Sequence, residues 1–434
     1  MQPPKDASAA LPDAPATSTA VIFYGWWIVG ASLLSLTVGV GPVVGITFGV
    51  FLQPLAAEFG WSRGQAAQGV ALALLGFTLT QPLIGRLIGR YGAKRIILLS
   101  AICFGVSLLG LASFVNGTAS FYIGALLTGG VAGGTSPLPY GTVLARWFVR
   151  RRGVAMSVAL SGLGIGGMML PLLTSHMITA YGWRTGFLLL GLLVLGIILP
   201  VVSLVLRETP EEMGFQPDGQ IPVNREPGDP PLVLTGCSLA EARATATFWV
   251  VALGFLLITA ATQGCVVHLT PLLTDQGFSL IQAASVVSMM SLGFLPGMLT
   301  SGYLVDRFSS RNVAVGFFLI TAAGFALLGR APGWHGIVAA AVLLGVGMGA
   351  TVQLIPAIVG WGFGLRAFGE IYGLMMAAFG LGTVLGPLVV GWLFDLTGSY
   401  RLAPGGCVLA ALGAASLMLT VRPHAGRKAD QQEP

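Results

Sequence analysis

The sequence predicts an all-α membrane protein of twelve spanning helices, arranged as two pseudo-symmetric six-helix halves. Composition, the spacing of apolar runs and an internal repeat carry that prediction. Hydrophobic residues make up 55% and charged residues 9% of the 434 residues, and mean hydropathy is +0.84. Soluble chains carry about 25% charged residues, so this chain lacks the polar surface to cover a water-facing globule. A soluble enzyme, a nucleic-acid binder and a disordered chain are excluded. The net charge of +6 gains meaning only once the charges are placed relative to a bilayer.

A helix crossing a bilayer needs about 20 mainly apolar residues. Twelve segments qualify, at roughly 25–52, 66–89, 94–114, 120–146, 154–179, 185–206, 247–272, 280–304, 312–330, 335–362, 370–395 and 402–421, numbered spans 1 to 12. Helices are expected because backbone groups in lipid must be satisfied internally, and the runs lack the alternation of barrel strands. Residues 1–23, with Pro3, Pro4, Pro12 and Pro15, read as a disordered cytoplasmic arm without signal-peptide features. Residues 24–206 form the first bundle and 247–421 the second. Between them, 207–246 form a hydrophilic cytoplasmic linker holding Glu208, Glu211, Glu212, Asp218, Glu226, Asp229 and Glu241; residues 422–434 are a cytoplasmic tail.

With the amino terminus inside, every basic residue except Arg63, Arg184, Arg330 and Arg401 falls on the cytoplasmic side. The positive-inside rule therefore places both termini in the cytoplasm of a multi-pass cell-membrane protein, and the positive charge reflects topology. The halves are also copies. A shift of 217 aligns Pro54, Gly60, Ser62, Gln65 and Gly85 with Pro271, Gly277, Ser279, Gln282 and Gly302; a shift of 216 aligns Gly153, Pro171 and Gly182 with Gly369, Pro387 and Gly398. An even number of spans per copy makes this a parallel repeat about an axis along the membrane normal.

The loop after span 2 reads Gly-Arg-Leu-Ile-Gly-Arg-Tyr-Gly-Ala-Lys-Arg from Gly85, and that after span 8 reads Gly-Tyr-Leu-Val-Asp-Arg-Phe from Gly302. Both resemble the major facilitator superfamily signature G-x-L-a-D-r-x-G-r-r/k. The first copy has Gly89 where the family has aspartate; the second keeps it as Asp306. Three segments resemble the bacterial monocarboxylate-transporter-like branch: Tyr-Gly-Trp-Trp-Ile-Val from Tyr24 with Phe-Gly-Trp-Ser-Arg from Phe59, Ala-Arg-Trp-Phe-Val-Arg-Arg-Arg-Gly from Ala145, and Tyr-Gly-Trp-Arg from Tyr181. The resemblance covers about residues 24–420. It implies the major facilitator fold and a secondary transporter, with a monocarboxylate or related organic anion as best substrate. Carriers of this branch often place an arginine four residues before the second signature glycine. Met298 stands there, and a thioether cannot supply the guanidinium fork, which favours the alternative of an exporter of drugs or amphipathic solutes.

Intramembrane ionisable groups are functional candidates by default. Every Asp, Glu, Lys and Arg here falls in a loop or near a span end, leaving His176 and His268 inside spans. Either histidine is open as a proton carrier, against the plainer reading of a ring satisfied by a neighbouring carbonyl. The resemblance implies that spans 1, 4, 7 and 10 line a central cavity. On ideal helices, Thr259, Thr262, Gln263, Val266 and Thr270 share a face of span 7, and Tyr122, Gly129, Gly133, Ser136 and Tyr140 share one of span 4. Such stripes suit a wet path, though small residues also serve close packing. His268 lies opposite Thr259 unless Gly264 or Pro271 breaks the helix. Span 10 offers Thr351 and Gln353, and span 1 an interruption at Gly39, Gly41, Pro42 and Gly45.

By the same resemblance, Asp306 is expected to accept hydrogen bonds at the start of span 5 near Arg150, Arg151 and Arg152, beside Arg307, latching the halves. The plainer reading is solvated loop charges. Gly89 cannot make the matching contact, so Glu370 is expected to draw Arg86 or Arg90; Asp306→Asn should open the cytoplasmic side and Gly89→Asp be tolerated. The Gly162-x-Gly164-x-x-Gly167 run sits within an apolar span, follows no strand and reads as helix packing rather than a dinucleotide site. Cys103, Cys237, Cys265 and Cys407 have neither disulfide nor metal spacing. No cofactor, metal or nucleic acid is expected. The expected partners are a small-molecule substrate, a coupled proton as an open option, and the lipid bilayer around a monomer. A membrane enzyme would need clustered acids or a nucleophile–base pair, and a receptor an appended signalling domain; neither appears.

Overall fold

The computed structural model describes residues 23–219, 235–330 and 333–422. Most of the predicted arm, the middle of the linker and the tail beyond Arg422 lie outside the described residues. Eleven helical stretches among the described residues are long and apolar enough to cross a bilayer. The twelfth crossing, span 4, is a helix in pieces.

Repeated local signals start the repeated spans. Span 2 (Arg63–Tyr91) opens with a capping box in which the Ser62 hydroxyl accepts from the Gln65 amide and Gln65 accepts from the Ser62 amide. Span 8 (Leu280–Val305) opens identically with Ser279 and Gln282. Each box satisfies two helix-end amides that have no intrahelical partner. Gly60 and Gly277, the repeat-mates just upstream, both take positive φ (66° and 92°), which a residue with a Cβ adopts only at a cost.

The other continuous spans are Ala93–Phe114 (span 3), Arg152–Tyr181 (span 5), Trp183–Leu204 (span 6), Ala246–Asp275 (span 7), Ser310–Arg330 (span 9), Trp334–Phe363 (span 10), Phe368–Thr397 (span 11) and Ala403–Thr420 (span 12). Spans 3 and 6, 2 and 4, and 1 and 5 pack together in the first bundle; spans 8 and 10, 7 and 11, and 9 and 12 do so in the second. Small residues allow the backbones this proximity. A Cβ on Gly129 would lie 1.8 Å from the Ala73 carbonyl oxygen, and one on its repeat-mate Gly345 2.0 Å from that of Met290. Gly162 and Gly166 likewise press on the carbonyls of Leu33 and Thr37 in span 1.

Two crossings are broken, both in the first bundle. Span 1 passes from Gly25–Thr37 through a wide turn, Gly41–Ile46, and a tight one, Thr47–Phe51, into Leu52–Phe59. Its glycines and Pro42 provide the interruption expected from sequence. Span 4 runs Thr118–Val131, then a tight turn Ala132–Thr135, an extended Ser136, and Pro137–Trp147. Pro137 and Pro139 remove amides where the helix would have continued. This corrects the single span 4 face: a 100° wheel does not carry through the break, so Tyr122 and Tyr140 share no stripe. The breaks meet, with the Val40 amide donating to Thr135 Oγ1 at 3.1 Å. Their repeat-mates, spans 7 and 10, are unbroken.

The linker docks at one end of the bundles. Glu208 accepts from the Lys94 amide, Trp147 Nε1 donates to the Arg207 carbonyl, and Asp218 accepts from the amides of Val149 and Arg150. At its far end, Cys237 donates to the Phe363 carbonyl and Leu365 to that of Thr235. These contacts mark a basic face carrying Arg86, Lys94, Arg146, Arg207 and Arg366.

Candidate functional site

Spans 2 and 11, and spans 5 and 8, meet across a seam between the bundles. The seam is tight from the basic face to about mid-span. A Cβ on Gly85 would lie 2.5 Å from the Gly369 carbonyl, one on Gly153 2.1 Å from that of Gly302, one on Gly164 2.8 Å from Leu295, and one on Gly380 2.4 Å from the Thr78 hydroxyl. Toward the opposite face, Gly45, Ile46 and Gly49 of span 1 are exposed, and nothing lies within 4 Å of a Cβ on Gly45 or Gly49.

At the basic end Asp306 clasps the two halves. Its Oδ1 accepts from the Gly153 amide at 2.6 Å and its Oδ2 from the Val154 amide at 2.9 Å. Span 5 begins at Arg152, so the carboxylate sits at a helix N-terminus, where the dipole and free amides favour an anion. Burial, the largest influence, lifts the Asp306 carboxyl above its ordinary value, against the Val154 and Gly153 amides and Arg152. Arg152 Nε donates to the Phe148 carbonyl, Arg307 lies over the Tyr303 ring, and Arg150 and Arg151 are exposed.

The second clasp is different. Gly89 leaves a cavity of about 110 Å³ bordered by Thr142, Arg146, Arg366 and Glu370. The expected pairing of Glu370 with Arg86 or Arg90 does not occur: no ion pair within 4 Å joins them among the described residues, and Arg90 lies over the Tyr91 ring. Glu370 instead faces Gly89, its Oε1 3.4 Å from where a Cβ would stand. A carboxylate introduced at position 89 would meet another, which argues against the tolerance expected for Gly89→Asp.

The cavity candidates scatter. Thr259 is buried against Gly382 of span 11 and Thr262 donates back to the Ile258 carbonyl, so the inner part of the span 7 stripe is packing. Gln263, Val266 and Thr270 remain half-buried farther out. The Tyr122 hydroxyl engages the Gln65 carbonyl and Gln68 of span 2. Thr351 donates back to the Gly347 carbonyl, and Met298 is fully enclosed. Span 7 does not break at Gly264 or Pro271, and His268 is held within the second bundle. Its Nε2 lies 3.0 Å from the Pro387 carbonyl and its Nδ1 3.1 Å from the Tyr400 hydroxyl. A carbonyl only accepts, so Nε2 carries the proton and Nδ1 accepts in the neutral ring. His176 is exposed.

Gln353 reaches across the seam rather than into an open cavity: its Nε2 donates to the Gly153 carbonyl at 3.0 Å, on the residue whose amide Asp306 holds. Its Oε1 has no partner among the described residues, and neither does the hydroxyl of Tyr372; that of Tyr140 turns to Ser35 of its own bundle. Gln81 of span 2, fully buried, accepts from the Ser136 hydroxyl, and a Cβ on Gly373 of span 11 would lie 2.7 Å from its backbone carbonyl oxygen. Sequence reasoning missed Gln81 and Tyr372; an amide in the middle of an apolar span was a visible signal for the first. These side chains can bind a polar solute through hydroxyls and amides.

The Major Facilitator Superfamily model matches residues 16–387 and 269–434. This chain belongs to the major facilitator superfamily. The transporter is 29% identical over 386 residues to mouse (Mus musculus) monocarboxylate transporter 11, covering 87% of this chain and 83% of that one. It is 24% identical over 383 residues to the benzoate transport protein of Acinetobacter baylyi, covering 81% and 80%. Its fold matches that of the E. coli transporter FucP in its outward conformation, with TM-score 0.69 at 15% identity over 92% of this chain and 98% of that one. The family and branch resemblance read from the signature loops therefore hold.

Proposed function

We propose that the transporter is a secondary carrier that moves a small organic solute across the cell membrane by alternating access, its two six-helix bundles rocking about the seam. The observation that carries this reading is the seam itself. It is sealed at one face by Asp306 and Gln353, while at the other Gly45 and Gly49 of span 1 face open space. The distribution of basic residues assigns the sealed face to the cytoplasm, so both termini are cytoplasmic and the conformer faces outward. In this scheme residues 24–206 and 247–421 are the moving bodies, and the linker 207–246 follows them.

A monocarboxylate or related organic anion is the favoured substrate, supported by the relatives named for monocarboxylates and benzoate. With Met298 where an arginine would stand, the carboxylate is read by hydroxyl and amide donors. The same methionine favours a second reading, export of amphipathic solutes. If a proton is coupled, exposed His176 is freer to carry it than His268, whose nitrogens are both engaged. The protein is taken to act as a monomer without a cofactor. A thermal-shift screen of detergent-purified protein against carboxylates, sugars, amino acids and lipophilic cations tests this. Hits are then assayed in proteoliposomes with and without a pH gradient. Stabilisation by carboxylates and their uptake supports the reading; stabilisation by lipophilic cations alone overturns the substrate class.

A further inference from the structure

Buried polar atoms are nearly always hydrogen-bonded, and each exception calls for a physical reason. Two orphans lie on the sealed side of the seam, Tyr372 and Gln353. Tyr372 of span 11 is fully buried, its ring edge 3.1 Å from where a Cβ on Gly141 of span 4 would stand, so it lies against the other bundle. Tyr140, the neighbour of Gly141, is also fully buried, but its hydroxyl turns to that of Ser35 in its own bundle. Gln353 is fully buried and crosses the seam through its amide nitrogen, leaving Oε1 unpaired. Within one bundle such groups would simply weaken the fold. At a seam that must part during transport, their partners come with the other conformation.

We propose that Gln353 and Tyr372 line the solute's path on the basic side, where they become hydrogen-bonded to water or solute once the seam opens. This rests on the alternating-access reading above and adds a chemistry to it. A phenol hydroxyl and an amide suit a polar solute that carries an acceptor for the phenol and a donor for Gln353 Oε1. It also gives the seam a bias. The orphaned hydroxyl disfavours the sealed state, by on the order of tenfold in the open-to-sealed ratio, and a phenylalanine of the same shape removes that penalty.

The test uses full-length protein with Cys103, Cys237, Cys265 and Cys407 replaced, in membrane vesicles oriented with the basic face outward, labelled by a membrane-impermeant maleimide. Ile88→Cys is the reporter, since Ile88 is buried and its Cγ2 lies 3.5 Å from a Cβ position on Gly369 across the seam. Asp306→Ala serves to open the seam. In the Asp306→Ala background, Gln353→Cys and Tyr372→Cys are expected to label at least tenfold faster than with Asp306 intact. Labelling of Ile88→Cys without labelling of those two overturns the proposal but leaves alternating access standing. If Ile88→Cys is labelled in neither background, the seam does not open, and the alternating-access reading fails with the proposal. Because cysteine at a buried tyrosine can disturb folding, the second arm keeps the shape. With Asp306 intact, Tyr372→Phe should slow labelling of Ile88→Cys by roughly three- to tenfold, whereas an unchanged rate overturns the bias.

Discussion

Replacing Asp306 with alanine isolates the charge that holds the basic end of the seam. The carboxylate makes two bonds to amides of the other bundle, at 2.6 and 2.9 Å. Hydrogen bonds to charged groups contribute about 1.5–3 kcal/mol each, and burial of the half-buried carboxyl takes back part of the sum. A net loss of about 2 kcal/mol in the sealed conformer is expected, since alanine leaves both helix-end amides without an acceptor. At RT near 0.6 kcal/mol, this multiplies the open-to-sealed ratio roughly thirtyfold. The assay is the initial rate of maleimide labelling at Ile88→Cys from the basic face, which follows the open population when opening and closing outpace modification. The rate should rise by at least tenfold. A rate within twofold of the parent, in protein whose thermal midpoint is unchanged, would refute the idea that Asp306 holds the halves together.

Four further outcomes follow from the geometry. Gly89→Asp sets a carboxylate against Glu370 and should loosen the seam by about 1 kcal/mol; adding Glu370→Gln should restore the parental labelling rate. Gln353→Met removes both the bond to the Gly153 carbonyl, which favours opening by about 1 kcal/mol, and the unpaired Oε1, whose loss favours sealing by a similar amount, so the open-to-sealed ratio should stay within about threefold of the parent. Thr259→Val deletes a hydroxyl that has no partner against Gly382. Thermal stability should therefore stay the same or rise slightly, and a clear loss would return Thr259 to the solute path. His268→Leu strands the Tyr400 hydroxyl and the Pro387 carbonyl, at about 1–3 kcal/mol, and should lower the thermal midpoint without altering labelling at Ile88→Cys.

Spans, repeat and family were legible because each is written locally: apolar length, the repeat-mates Ser62 with Gln65 and Ser279 with Gln282, and the signature loops at Gly85 and Gly302. The interruption of span 1 was legible for the same reason, since glycines and Pro42 act on the backbone where they stand. The site was harder. A helical wheel places Thr259 and Gln263 on one face without saying that Gly382 fills the space before the first. It also assumes an unbroken helix, which Ser136 and the two prolines deny to span 4. Gln353 looked like a cavity residue because an amide in an apolar span has that chemistry; only the approach of span 5 makes it a bridge. Tyr372 carried no periodic signal, as its meaning comes from Gly141 on another helix. At Gly89 the missing aspartate was visible, but not that Glu370 would face the gap.

The broken crossings give the duplicated halves different mechanical characters. The first bundle has a joint where Val40 leans on Thr135 and two interrupted helices bend together, while its sister has continuous rods in the same places. Peptide groups near such a joint open at lower free energy than those inside an unbroken helix. Hydrogen exchange should therefore be faster around residues 38–47 and 132–136 than around their repeat-mates in spans 7 and 10. A molecule built from two copies of one design would then work as a flexible arm against a stiff lever, with local adjustment to the solute confined to the arm.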